Sequence, residues 1–259
     1  MILAMDIGNT NLKLGVYKND IMIAGYKMAA SLNRTADEYA LSITDSLKKS
    51  GIVVNDIKGI IISSVKPNLN YTIEQMCDYY FNMKPLIVDY RLKSNIKYKV
   101  DYDAEIGGDR ICDMAAAQKK YGAPFIVVDF GTATVFNVVN SKGEFIGGAI
   151  APGISSSLSS LVNNTSKLPN IEITTPSKVI ASDTVSNMQS GLVYGFVGLV
   201  EYLTAKMKEE SAEKNIKVIA TGGFAQIISK HTKCFDFVEK TLTLDGLNVL
   251  YKLNRGKKL

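Results

Sequence analysis

Two stretches of this chain, MDIGNTNLKLGVY from Met5 and VDFGTATVFNVVN from Val128, can be laid on one another. Each runs in the order apolar strand, Asp, apolar residue, Gly, small polar residues, strand. A short apolar run that ends in Asp, turns at Gly and returns as a second run reads as a hairpin with a polar tip. Its recurrence about 120 residues later predicts two related α/β domains rather than one barrel or a solenoid. The division is expected at 1–114 and 115–259, with a hinge in 107–121 and a cleft between the domains.

The rest of the chain fits alternating strands and helices. Residues 2–7 and 11–17 form the first hairpin. Residues 36–49 carry Tyr39, Leu41, Ile43 and Leu47 at helical spacing, and Gly51 stops them. A β-branched strand at 59–65, a helix at 68–81 and a short strand at 85–88 follow. In the second half, strands are expected at 124–129, 135–139 and 218–221, and helices at 155–162 and 190–208. The glycine-rich stretch 147–153 reads as a loop. The 190–208 helix is apolar on more than one side, which suits a core helix or a dimer seam.

Composition narrows the function. With 259 residues and 46% hydrophobic content, the chain can bury the cores of two domains. A net charge of +5, with both signs in every region, gives no basic stripe for nucleic acid. The local excess at Arg255, Lys257 and Lys258 reads as a solvated end. Cys77, Cys112 and Cys234 lie far apart without CxxC spacing and are expected to be reduced core thiols. No apolar run approaches the roughly 20 residues of a membrane span, and the first ten residues do not read as a signal peptide. A cytoplasmic protein without nucleic-acid or membrane partners is expected.

The hairpins suggest chemistry. Phosphoryl transfer needs donors for the nucleotide oxygens, a cation to neutralise them and a base to aim the attacking hydroxyl. Asp6, Gly8, Asn9, Thr10 and Asn11 offer amides and short side chains at a glycine turn that a phosphate can approach. Asp6 is a candidate magnesium carboxylate, and Lys13 is grouped with the nucleotide-binding residues. No GxxxxGK[ST] occurs, and no GxGxxG follows a strand, so a nucleotide site would be built from the two hairpins. Read alone, Asp6 and Gly8 also suit a tight turn, and Asp109 with Arg110 also suits a helix N-cap with a surface ion pair.

In combination these residues resemble the actin, hexokinase and Hsp70 ATPase superfamily. Asp6, Gly8, Asn9 and Thr10 look like its first phosphate motif, Asp129, Gly131 and Thr132 like its second, and Thr221, Gly222 and Gly223 like its adenosine motif. Gly107, Gly108, Asp109 and Arg110, followed by Ala115, Ala116 and Ala117, resemble the GADR signature of type III pantothenate kinases. The run Gly147 to Gly153, and Asp183, Thr184, Ser190 and Gly191, add to that likeness.

The resemblance implies two duplicated RNase H-like (actin-like ATPase) domains and ATP-dependent phosphorylation of pantothenate, the first step of coenzyme A synthesis. It implies Asp109 as general base, and Gly107, Gly108, Arg110 and Thr184 as pantothenate-binding residues. Thr132, Gly222 and Gly223 would contact ATP, Asp6 would hold Mg2+, and Asp129 would bind a monovalent cation, K+ or NH4+. A homodimer is also implied, with 190–208 as an interface candidate.

The sequence departs from the family where a tyrosine usually stands seven positions before the first glycine of that signature. Val100 occupies the place, with Tyr102 and Asp103 after it, and Tyr98 or Tyr102 could supply the ring. The second signature position is Gly108 where alanine is usual. Another small-molecule kinase of the superfamily and a weakly catalytic regulatory paralogue are the alternatives, although Asp6, Asp109 and Asp129 are all present. His231 is expected to be structural, and Tyr79, Tyr80 and Phe81 to be core.

Overall fold

The computed structural model describes residues 1–101 and 105–255. In chain order the elements are β1 (Ile2–Ile7), β2 (Asn11–Lys18), β3 (Ile21–Ala29), α1 (Ala36–Lys49), β4 (Gly59–Ser64), α2 (Pro67–Phe81) and β5 (Leu86–Ile87). There follow β6 (Lys97–Tyr98), α3 (Gly108–Tyr121), β7 (Phe125–Phe130), β8 (Ala133–Val139), β9 (Glu144–Pro152), α4 (Ile154–Asn163) and α5 (Thr184–Ser211). The last are β10 (Lys217–Gly222), α6 (Ala225–Ile228), β11 (Phe237–Glu239) and α7 (Leu242–Asn254).

They form two compact units. The first holds residues 1–96, the described part of 101–120 and 242–255; the second holds 97–100 and 121–241. The division therefore departs from the expected one at 114/115. The sequence of the 107–121 segment explains part of this, because alanines and long side chains favour an unbroken helix there. It forms α3, with Ile111, Cys112, Met114 and Ala115 buried, rather than a hinge. The other part is α7, whose apolar face packs on β1, β2 and β4 of the first unit.

The first unit is a sheet of order β3-β2-β1-β4-β5. β1 runs antiparallel to β2 and parallel to β4. Leu3, Met5 and Ile7 alternate into a core shared with Leu12 and Leu14 of β2, Tyr39, Ile43 and Leu47 of α1, and Leu69, Ile73 and Met76 of α2. Each such side chain contributes about 1.5–3 kcal/mol by leaving water. α1 starts at a capping box in which Thr35 and Glu38 satisfy each other's backbone N–H. α2 starts at Pro67, whose missing N–H costs nothing in a first turn, and ends at a left-handed Asn82. Tyr79 and Tyr80 are 67% and 40% exposed, whereas Phe81 is buried, so the expected aromatic core reduces to Phe81. At helical spacing, adjacent residues cannot share one face.

The second unit repeats the plan, with order β11-β10-β7-β8-β9-β6. β7 is antiparallel to β8 and parallel to β10. Its core joins Ile126, Val128 and Phe130 of β7 to Leu158 of α4 and Leu192, Val193 and Phe196 of α5. The stretch expected as a loop at 147–153 is mostly β9. Its glycines have reasons other than a turn: Gly147 has φ +125°, which favours glycine, and a Cβ on Gly148 would overlap the Phe136 carbonyl. The register of β8 on β9 shifts at Val138/Val139, a bulge that accommodates them.

Cys77 and Cys112 are buried, Cys234 is half-buried, and all three are free. Burial, and then the charge of Glu74, pushes the Cys77 thiol up to about 12. Among the described residues, no helix is long and apolar enough to cross a membrane. Lys257 and Lys258, expected as a solvated end, lie outside the described residues.

Candidate active site

In the first unit, β1 ends by delivering Asp6 into the sheet. Pairing sets its neighbours: Lys13 lies across on β2 and Ser63 on β4. Asp6 is 6% exposed, and its Oδ2 lies 3.4 Å from Lys13 Nζ. Burial lifts the Asp6 carboxyl above its ordinary range; Lys13 opposes the lift, and the negative charge of Asp109 adds to it. The chain then turns through Gly8, whose N–H donates to the Asn11 carbonyl at 2.9 Å, leaving Asn9 and Thr10 exposed at the tip.

A residue not singled out in the sequence braces this tip. Lys66 Nζ donates to the carbonyls of Asn9 at 3.2 Å and Ala30 at 2.6 Å. The Ala30 N–H in turn donates to the Thr10 carbonyl at 3.0 Å. The only local signal is a lysine just after a buried strand and before Pro67, and nothing in sequence spacing links it to residue 9.

Asp109 stands in the first turn of α3 and accepts the N–H of Arg110 on Oδ1 at 2.8 Å. A Cβ at Gly107 would crowd that same oxygen, so the glycine lets the carboxylate fold back over the helix start. At Gly108 a Cβ would come within 3.0 Å of Ser63 Oγ and 3.3 Å of the Val88 carbonyl. Glycine at this position thus matches the close approach of β4 and the segment after β5. Ser63 Oγ is buried, with the Cys112 thiol as its neighbour. Arg110 is half-buried, and burial lowers its guanidinium below the usual range against the opposing pull of Asp109. Burial holds the Cys112 thiol well above its normal value, with further contributions from Asp113, Asp6 and Asp109 and an opposing one from Ser63. The start of α3 accordingly gathers carboxylates about a buried thiol.

In the second unit, β7 delivers Asp129 in the same way, opposite Val135 on β8 and Thr221 on β10. The surroundings differ, because two glycines lie against this carboxylate. A Cβ on Gly131 would stand 3.4 Å from Asp129 Oδ2, and one on Gly222 would overlap Oδ1. Gly222 also has φ +93°, which favours glycine. The Gly223 N–H donates to the Phe130 carbonyl at 3.0 Å, tying the β10 turn to the β7 turn. α4 begins against Thr132: the Gly153 N–H and Ser156 Oγ donate to the Thr132 carbonyl at 3.0 and 2.7 Å. A Cβ on Gly153 would overlap the carbonyls of Gly131 and Thr132. Asp129, Thr132, Gly222 and Gly223 are thereby brought together.

Thr184 lies elsewhere in this unit, as the first residue of α5. Its N-cap, Asp183, accepts the Ser186 N–H at 2.9 Å, which holds the Asp183 carboxyl below its usual range. Thr184 lines a largely apolar groove of about 710 Å³ with Leu161, Leu168, Met188, Gly191 and Leu192, walled by α4 and α5. His231 touches Thr175 Oγ1 through Nε2 at 3.1 Å, a contact that holds the 164–183 segment. Tyr98 pairs with Phe145 through β6 and β9, and Val100 follows half-buried. Tyr102 and Asp103 lie outside the described residues.

Two sheets of matching strand order, each presenting an Asp-Gly turn, define the actin-like ATPase and sugar kinase fold. Solved structures agree with that class. A Campylobacter jejuni protein assigned to the Baf family of transcriptional activators is 18% identical, with TM-score 0.60 over 98% of this chain and 100% of that one. The activator of 2-hydroxyisocaproyl-CoA dehydratase from Clostridium difficile is 13% identical, with TM-score 0.56 over 98% and 94%. The inorganic polyphosphate/ATP-glucomannokinase from an Arthrobacter species is 12% identical, with TM-score 0.52 over 98% and 99%.

The family is narrower than the fold. A model of type III pantothenate kinase matches residues 2–206, and the chain belongs to that family. It is an ATP-dependent phosphotransferase that converts pantothenate to 4′-phosphopantothenate, the first step of coenzyme A biosynthesis.

Proposed function

We propose that Asp109 and Asp6 of the first unit supply the acid–base and magnesium groups, that Asp129 of the second supplies the monovalent-cation group, and that both units contribute nucleotide contacts. Asp109 is the general base: its carboxylate takes the proton of the pantothenate primary hydroxyl as that oxygen bonds to the γ-phosphorus and the bond to the ADP oxygen breaks. The observation that carries this reading is the placing of the Asp109 carboxylate, which is folded back over the first turn of α3 onto the Arg110 N–H at 2.8 Å, in the same unit as Asp6 and close enough for its charge to lift that buried carboxyl. A bound cation together with a substrate proton would relieve that repulsion.

Asp6 would hold magnesium, with water and phosphate oxygens as the remaining ligands, which suits an ion that rarely uses an all-protein cage. Asn9, Thr10, Asn11 and Lys13 would contact the phosphates with Gly8, and Thr132, Gly222 and Gly223 the rest of the nucleotide. Asp129, whose oxygens lie against Gly131 and Gly222, would hold a potassium or ammonium ion, whose charge the carboxylate oxygens would balance. Gly107, Gly108, Arg110 and Thr184 would bind pantothenate. The groove beside Thr184 and the exposed Tyr202 of α5 support a homodimer built on that helix.

The experiment is ADP release from purified protein with ATP and magnesium, with and without pantothenate, in potassium and then sodium. Pantothenate-dependent, potassium-stimulated turnover supports the reading. Asp109→Asn should lose about 10²–10⁴-fold in kcat with nucleotide binding unchanged; wild-type turnover in that variant would remove Asp109 as base.

A further inference from the structure

α7 lies beyond the segment that the family model matches, yet it touches the helix that carries Asp109. Asp113 follows Asp109 by one helical turn, on the same side of α3. It is 1% exposed, and Thr243 in the first turn of α7 donates its Oγ1 hydrogen to Asp113 Oδ1 at 2.8 Å. One turn further along α7, Gly246 lies against the Cys112 backbone so closely that a Cβ there would overlap the Cys112 carbonyl. A hydrogen bond and a backbone contact thus fix the height and roll of α3 at residues 112 and 113.

α7 is itself fixed to the strands that deliver Asp6. It packs on β1, β2 and β4, and Tyr17 Oη on β2 donates to Asp245 Oδ1 at 2.6 Å. At its far end, Asn254 Nδ2 donates to the Lys93 carbonyl at 2.9 Å and its Oδ1 accepts the Lys93 N–H at 3.0 Å. The helix therefore references α3 to the same sheet that holds Asp6.

We propose that Thr243 and Asp113 are positioning residues for phosphoryl transfer, acting through α3 to aim the Asp109 carboxylate at the hydroxyl it deprotonates. The assignment rests on Asp109 as base. A displacement of about 1 Å in such a group can cost roughly 10²-fold in rate, and a slight roll of α3 supplies one.

The test compares Thr243→Val, Thr243→Ser and Asp109→Asn as full-length protein, reading kcat and KM for both substrates, the kcat–pH profile and the thermal midpoint. Thr243→Val should lower kcat about 10-fold or more, with both KM values within about twofold, and should shift the acid limb of the pH profile; Thr243→Ser should restore both. Wild-type turnover in Asp109→Asn would overturn the base assignment itself. An inactive Asp109→Asn beside a folded Thr243→Val of wild-type kcat and unmoved acid limb would overturn the positioning role alone. Should Thr243→Val fail to fold, Asp113→Asn, whose amide oxygen still accepts from Thr243, is compared with the double variant Asp113→Asn/Thr243→Val, which removes the hydrogen bond without leaving a buried carboxylate short of that donor. If the bond sets the aim, the double variant falls well below Asp113→Asn in kcat; equal kcat in the two overturns the proposal.

Discussion

The two Asp-Gly turns share a backbone plan and differ in what surrounds the carboxylate. In each, a central strand is flanked by an antiparallel partner on one side and a parallel one on the other. Asp6 is buried beside the ammonium of Lys13 and under the influence of Asp109. Asp129 is half-buried, with Gly131 and Gly222 lying against its two oxygens. A repeated backbone can thus place one residue type in two settings, one beside charged side chains and one against glycines.

The largest expected effect tests the crowded turn. Asp6→Asn should reduce turnover about 10²-fold or more if the carboxylate holds magnesium that neutralises transferring phosphate; magnesium titrations at fixed ATP that remain superimposable on wild type would separate Asp6 from that role. The glycine-flanked turn comes next. Gly222→Ala adds a Cβ onto Asp129 Oδ1 and forces a methyl-bearing residue to φ +93°, which should destabilise the second unit by about 1–3 kcal/mol. A melting temperature equal to wild type would show that the β10 turn yields easily.

Asp129→Ala should flatten the potassium response of turnover by severalfold while leaving the protein folded, if this carboxylate holds the monovalent cation. An unchanged potassium titration would remove the cation role and the contrast with it. The smallest effect is on stability. Because the Asp6 carboxyl is raised in the folded chain, its ionisation opposes folding: the stability is fully present below the unfolded value and is lost as pH rises through the raised one. In metal-free protein Asp6→Asn should therefore be more stable than wild type near neutral pH, and that advantage should shrink as pH falls toward 4. Denaturant unfolding at two pH values measures it; a variant less stable at neutral pH would mean that the Lys13 contact outweighs burial.

Much of the fold was legible because apolar periodicity and glycine turns are local. The two hairpins, α1, α2 and β10 appear close to where the pattern of strands and helices puts them. β9 was not legible, since its glycines look like loop residues until β8 is laid beside them and Gly148 meets the Phe136 carbonyl. The division of the chain was missed for a similar reason. Nothing in residues 242–254 names the sheet on which they pack.

The candidate site was legible as residue types rather than as neighbours. Asp6, Asp109 and Asp129 stand out by motif, but Lys66 at the Asn9 carbonyl and Ser63 beside Gly108 join residues more than 40 positions apart. By itself the sequence determined two Asp-Gly hairpins, the family signature at 107–110 and the helices around them, because short-range sterics and hydrophobic period act along the chain. Only the tertiary structure decided which charges share a neighbourhood, that α7 closes on α3, and that one aspartate lies beside charged side chains while its counterpart lies against glycines. Burial and electrostatics depend on distance in space, which chain position does not encode.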